Sequence, residues 1–172
     1  DIFKGKKDIY LSFIGGGPGS EAYGAIKYIV NNCPDVTNIH ITILDINAST
    51  WSFSHTIVKE HLVEAINSGN VEVHWNAVSF DLVSEEAVRR TKPTIAKSDL
   101  LVIQNCLNEI ASTHLLALKN SLELLFDYLP GNAFLLMSDL TSGARPTIKS
   151  LEKHLVDRFA PKFLKTTLSL SS

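Results

Sequence analysis

The sequence predicts a doubly wound α/β domain, a mostly parallel sheet with helices on both faces. Three observations predict it. Apolar, β-prone runs alternate along the chain with segments of helical periodicity. The runs are close to continuously apolar, as expected of strands covered on both faces. The first run leads directly into a glycine-rich turn, Gly15-Gly16-Gly17-Pro18-Gly19, and then into a helical pattern.

Taken in order, Asp8–Ile14 is a short buried strand. Ser20 is placed as the N-cap of a first helix, with Glu21 in its first turn and Ala22, Ala25, Ile26 and Ile29 along one face. Ile39–Leu44 is a second strand ending at Asp45. A helix carrying Ile57, Val58, Leu62, Val63 and Ile66 follows, terminated near Gly69. Val71–Trp75 alternates as a third strand, Ser84–Arg90 is a short helix broken by Pro93, and Ser98–Gln104 is a fourth strand. His114–Tyr128 is a long amphipathic helix and Ala133–Met137 a fifth strand. Ile148–Phe159 is expected to be a further helix, and Phe163–Leu170 the start of a sixth strand.

The chain of 172 residues is read as a single domain, 1–172, long enough to bury a core. It starts at Asp1 rather than at a methionine, and is read as a processed product or a piece of a longer protein. A net charge of −2 gives no electrostatic footprint of a nucleic-acid binder. No apolar run approaches the roughly 20 residues that cross a bilayer, so no membrane partner is expected. The six histidines and two cysteines make no metal-ligand spacing, and no metal is expected. Cys33 and Cys106 are read as reduced thiols of a cytoplasmic or similarly reducing compartment.

In an open parallel sheet, ligands bind beyond the carboxyl ends of the strands. That rule selects the turns after Ile14, Leu44, Trp75, Gln104 and Met137. At the first, glycines permit a tight turn and close approach of a ligand to the main chain, with helix amides pointing into the site. At the second, the Asp45 carboxylate can accept both hydroxyl hydrogens of a ribose, although an aspartate here also suits a loop or cap. Trp51 and Phe53 follow, and at least one of them is expected in the core.

The runs FIGGGPGSE, ILDIN, NAVSFDL and SDLLVIQNCLNEI resemble class I S-adenosylmethionine-dependent methyltransferases over about Asp8 to Asp139. The resemblance implies a Rossmann-like fold and S-adenosyl-L-methionine as cofactor. It places Gly15, Gly16, Gly17 and Gly19 in the family's glycine-rich motif, Asp45 at the ribose, and Ser79, Phe80 and Asp81 in the loop that meets the adenine amino group. It sets Asn105 to Glu109 beside the transferred methyl, with Asn105 and Glu109 as catalytic candidates and Asn105 also touching cofactor. Asn108 and Asp139 are further candidates for substrate contact, while Asn108 and Glu109 taken singly also suit helix capping. Cys106 is read as a buried small hydrophobe rather than a nucleophile.

The sequence also departs from family patterns. The turn Gln104-Asn105-Cys106-Leu107-Asn108-Glu109 lacks the Asn-Pro-Pro-Tyr motif of enzymes that methylate exocyclic base amines, and the family's last antiparallel strands are not evident. The acceptor therefore stays open among RNA, protein and small molecules. Two other readings stay beside catalysis. One is a cofactor-binding sensor or structural domain of a larger protein. The other is an NAD(P)-binding oxidoreductase, against which stand the poor fit of GGGPG to GxGxxG and the long interval from the turn to Asp45. Tyr23 and Lys27 have the spacing of a proton-donor pair but lie on the first helix, and no Walker A lysine follows the glycines.

Overall fold

The computed structural model describes residues 2–67, 69, 71–139 and 149. Five strands, β1 (Asp8–Ile14), β2 (Asn38–Asp45), β3 (Glu72–Ser79), β4 (Leu100–Gln104) and β5 (Phe134–Ser138), form one sheet in the order β3-β2-β1-β4-β5. Every pairing is parallel. The order reverses between β1 and β4, so the loops leaving these two strands diverge and open a crevice at their carboxyl ends. The expected helix Ile148–Phe159 and strand from Phe163 lie outside the described residues, apart from Lys149.

Two cores, one on each face, explain why these elements pack as they do. Ile9, Leu11 and Phe13 of β1 and Ile39, Ile41 and Ile43 of β2 face α1 (Ser20–Asn32) through its buried Ala22, Ile26 and Ile29. The same core takes Val58 and Val63 from the segment between β2 and β3. There α2 (Ser52–Ile57) runs on as a π-helical stretch, Val58–Val63, and ends in the single turn α3 (Glu64–Ile66). On the other face, Ile14, Leu44, Leu101 and Ile103 meet α4 (Glu85–Arg90), α5 (Lys92–Ile95) and α6 (Leu107–Tyr128). Ile14 and Leu44 lie on the face opposite their neighbours Phe13 and Ile43, the period-2 alternation of a pleated strand.

That second face is not apolar throughout. Toward the amino ends of β1, β2 and β3, Tyr10, His40 and His74 are register partners. Their rings stack at 4.3 Å and 4.5 Å between centroids. Next along, buried Ser12 shares a 2.7 Å hydrogen bond with Ser98 Oγ. Asp99 ties β4 to β1 by accepting from the Tyr10 amide at 2.9 Å and pairing with Lys6.

Several boundaries differ from the expectation. Ser20 is the first helical residue, not the cap; Gly19 holds the cap position in a left-handed conformation, and Ser20 Oγ donates to Glu21 instead. β3 is longer, running to Ser79, because it pairs with β2 as far as Asp45. Pro93 opens α5 rather than only breaking its predecessor, since proline is tolerated in a first helical turn. The long helix begins seven residues early, at Leu107, and His114 within it is non-helical (φ −135°, ψ 36°). Among the described residues no helix is long and apolar enough to cross a membrane, and no group of three or more His, Cys, Asp or Glu is placed to hold a metal ion.

Candidate functional site

The crevice between β1 and β4 is a cavity of about 500 Å³, within the range of small-ligand sites. Its floor comes from the ends of β1 and β2, with Gly15, Gly17 and Asp45. Phe80 and Asp81 enter after β3, and Asn105 and Cys106 after β4. One wall is the first turns of α6, with Glu109, Ile110, Thr113 and His114.

The glycine turn is built around its own side-chain supports. Gly15 (φ +67°) lies so close to the β4 loop that an added Cβ would sit 2.8 Å from Cys106 Cβ. Gly16 packs on Ile43 and Phe13, and Gly19 (φ +92°) on the Trp75 ring. These two support the turn from behind and do not line the cavity, whereas Gly15 and Gly17 do. The turn's amides are largely spent within the protein. Gly15 N–H donates to Leu44 O at 2.8 Å, Gly17 N–H to Asp45 Oδ2 at 3.0 Å and Gly19 N–H to Gly16 O at 2.9 Å.

Asp45 is buried at 8% exposure and lines the cavity. Both carboxylate oxygens already accept a backbone hydrogen bond, Oδ2 from Gly17 and Oδ1 from the Asn47 amide at 2.8 Å. Each oxygen has a second lone pair for a ligand hydroxyl. Asp81 forms a tight turn, its Oδ1 accepting from Val83 N–H at 3.0 Å. Phe80 serves both cavity and core, at 3% exposure. Ser79 stays outside: it is the exposed last residue of β3, and its Oγ donates to Ile46 O.

At the end of β4, Asn105 is the one non-glycine residue with a left-handed backbone (φ 54°) among those described. Asparagine tolerates that region better than most residues, and strained positions of this kind gather at functional sites. Cys106, next in line, is mostly enclosed. Burial pushes its thiol up to about 12, helped by the negative charges of Asp139, Asp45 and Glu109. It is therefore a protonated thiol at neutral pH, not a nucleophile. The α6 N-terminus is capped from a distance in sequence. Asp139, arriving from the end of β5, accepts from Leu107 N–H at 2.6 Å and Asn108 N–H at 3.3 Å.

The structure thus brings Gly15, Gly17, Asp45, Phe80, Asp81, Asn105 and Glu109 to one cavity, and sets Gly16, Gly19 and Ser79 behind or beside it. Trp51 lines the cavity, while Phe53, 74% exposed, belongs to neither cavity nor core. Sequence reasoning missed Ile46, an apolar side chain 64% exposed immediately after Asp45, and the α6 residues Ile110, Thr113 and His114. An isoleucine beside a strand-end carboxylate was a signal for the first. The second depended on a helix start that the sequence did not suggest.

No protein-family model matches the chain, and no curated protein matches it.

Proposed function

We propose that this domain binds S-adenosyl-L-methionine in the β1–β4 crevice and transfers its methyl group to an acceptor, as class I methyltransferases do. The observation that carries the reading is the charge of the cavity. Its lining holds three carboxylates, Asp45, Asp81 and Glu109, and no lysine or arginine among the described residues. A pyrophosphate cofactor would meet like charge there, and it would find the amides of Gly15, Gly17 and Gly19 already committed. A cofactor with a positive sulfonium, a diol and a flat base suits the same walls, so this chemistry also weighs against a nicotinamide dinucleotide.

When bound, S-adenosylmethionine supplies an electrophilic methyl on its sulfonium sulfur. The chain's contribution is then to hold and orient. Asp45 takes the ribose hydroxyls. Asp81, whose Oδ1 already accepts from Val83 N–H, takes the adenine amino group through its other oxygen, and the cavity-lining Ile46 and Val83 offer the base apolar surface. Asn105 shapes the turn beside the methyl, and Glu109, on the first turn of α6, faces the acceptor and can accept its proton.

A cofactor-binding sensor is the second reading, favoured by one observation. Of two polar groups at the start of α6, Asp139 is committed to capping the helix and Cys106 is held as a thiol. Two experiments decide. In titration calorimetry, S-adenosylmethionine and S-adenosylhomocysteine bind and NAD does not; binding of NAD alone overturns the cofactor assignment. With radiolabelled cofactor and RNA, protein and metabolite fractions, label enters one fraction in a Glu109-dependent way. Tight binding with no transfer to any fraction selects the sensor.

A further inference from the structure

We propose that His55 is a positioning residue for the cofactor, acting through the Gly17 peptide; the inference rests on the cofactor reading above. His55 stands on α2, is 6% exposed and does not line the cavity. Its Nε2 lies 2.7 Å from Gly17 O. A carbonyl oxygen only accepts, so Nε2 is the nitrogen that carries hydrogen. The imidazole is seated against the Trp75 ring, 5.6 Å between centroids, and its Cδ2 is 3.5 Å from where a Gly19 Cβ would stand. The ring is thus fixed from behind the turn.

Gly17 is consequently held at both of its polar groups, the N–H by Asp45 Oδ2 and the carbonyl by His55 Nε2. It needs such restraint. Its φ is +45°, nothing lies within 4 Å of its missing Cβ, and it faces the cavity. A glycine with open space beside it has many backbone states of similar energy. Because Pro18 follows, the next peptide bears no N–H, and its carbonyl is the only polar handle by which the protein can set its plane. Released, that carbonyl is able to rotate toward the cavity and loosen the partner hydrogen bond on Asp45, the group assigned to the ribose. His55 keeps the turn in the form that accepts cofactor before cofactor arrives.

The test compares wild type with His55→Phe, which keeps a buried ring without a donor, and His55→Gln, whose amide restores a donor at similar reach. Affinity for S-adenosylhomocysteine is measured by calorimetry, and exchange of the Gly17 and Gly19 amides is followed by NMR in the ligand-free protein. His55→Phe is expected to weaken binding by about fivefold to tenfold, the net worth of one hydrogen bond, and to speed exchange at both amides; His55→Gln regains most of both. A His55→Phe protein that binds like wild type overturns the proposal, even if its melting temperature falls, because that is a structural role alone. A His55→Gln protein as weak as His55→Phe also overturns it. Wild-type protein that binds no S-adenosylhomocysteine fails the cofactor reading itself, an outcome separate from the other two.

Discussion

Single residues at the crevice do two jobs, and this alters what substitutions there will show. The sequence gives Asp45 either a ribose to bind or a loop to cap, as a strand-end aspartate. Its two backbone hydrogen bonds make it a brace of the glycine turn as well. Asp45→Ala is therefore expected to lose about 1.5–3 kcal/mol for hydrogen bonds to a charged group, visible both in denaturant stability and in cofactor affinity. Unchanged stability would show that the brace is not energetically significant. Gly15 is a steric case. Gly15→Ala places a methyl 2.8 Å from Cys106 Cβ and 2.9 Å from its Sγ, with φ at +67°. Adding Cys106→Gly removes the collision but not the backbone strain of roughly 1–2 kcal/mol, so the double variant should recover only part of the loss in thermal melting. Cys106→Ala, which leaves its Cβ in place, should recover less. Cys106 also sets a pH dependence. A thiol raised from 9.0 to about 12 by the fold binds its proton more tightly in the native state. Its contribution to stability is complete below pH 9 and is lost as pH climbs from about 9 to about 12. Unfolding titrations of wild type and Cys106→Ala should therefore differ most in slope within that window, and iodoacetamide should modify native Cys106 slowly at pH 8.

Elements were legible to the extent that their pattern was local. The strand Asp8–Ile14 and the sheet class followed from apolar runs and their alternation with helices, since burial on both faces leaves a direct mark on composition. β3 was underestimated because its second half, Asn76–Ser79, is mostly exposed, and only pairing with β2 holds it as strand. The start of α6 was hidden for a similar reason. Its cap is Asp139, 32 residues away from Leu107, and no sequence window contains both. Asp139→Ala should cost about 0.5–2 kcal/mol, the usual price of a lost N-cap. The loss should concentrate in Leu107–Thr113, because the non-helical His114 separates that stretch from the packed remainder of α6. Hydrogen exchange faster in Leu107–Thr113 than in Leu118–Phe126 is the expected readout; uniform acceleration along the helix would argue against two separable segments.

At the scale of the whole molecule, the crevice joins parts of the chain that share little else. The glycine turn and Asp45 belong to the half-sheet backed by α1 and α2, whereas Asn105 and Glu109 belong to β4 and α6 on the other side of the strand reversal. The reversal itself was legible from alternating strands and helices, because a doubly wound sheet must reverse somewhere. Which side chains reach across it was not, since that depends on loop paths such as the turn that brings Cys106 against Gly15. A ligand seated in the crevice must therefore act on both halves at once. At a hundredfold excess over its Kd, S-adenosylhomocysteine should add roughly 2.7 kcal/mol to stability, about 5–10 °C in melting temperature for a chain of this size. Hydrogen exchange should slow together in Gly15–Gly19, Asp45–Asn47, Phe80–Val83 and Asn105–Thr113. The opposite end of the sheet, where the Thr37 and Asn38 amides donate to Lys7 O, should gain only the protection due to global stabilisation. Protection confined to the glycine turn and Asp45 would mean that the ligand engages one half alone, and the acceptor-side roles given to Asn105 and Glu109 would then fail.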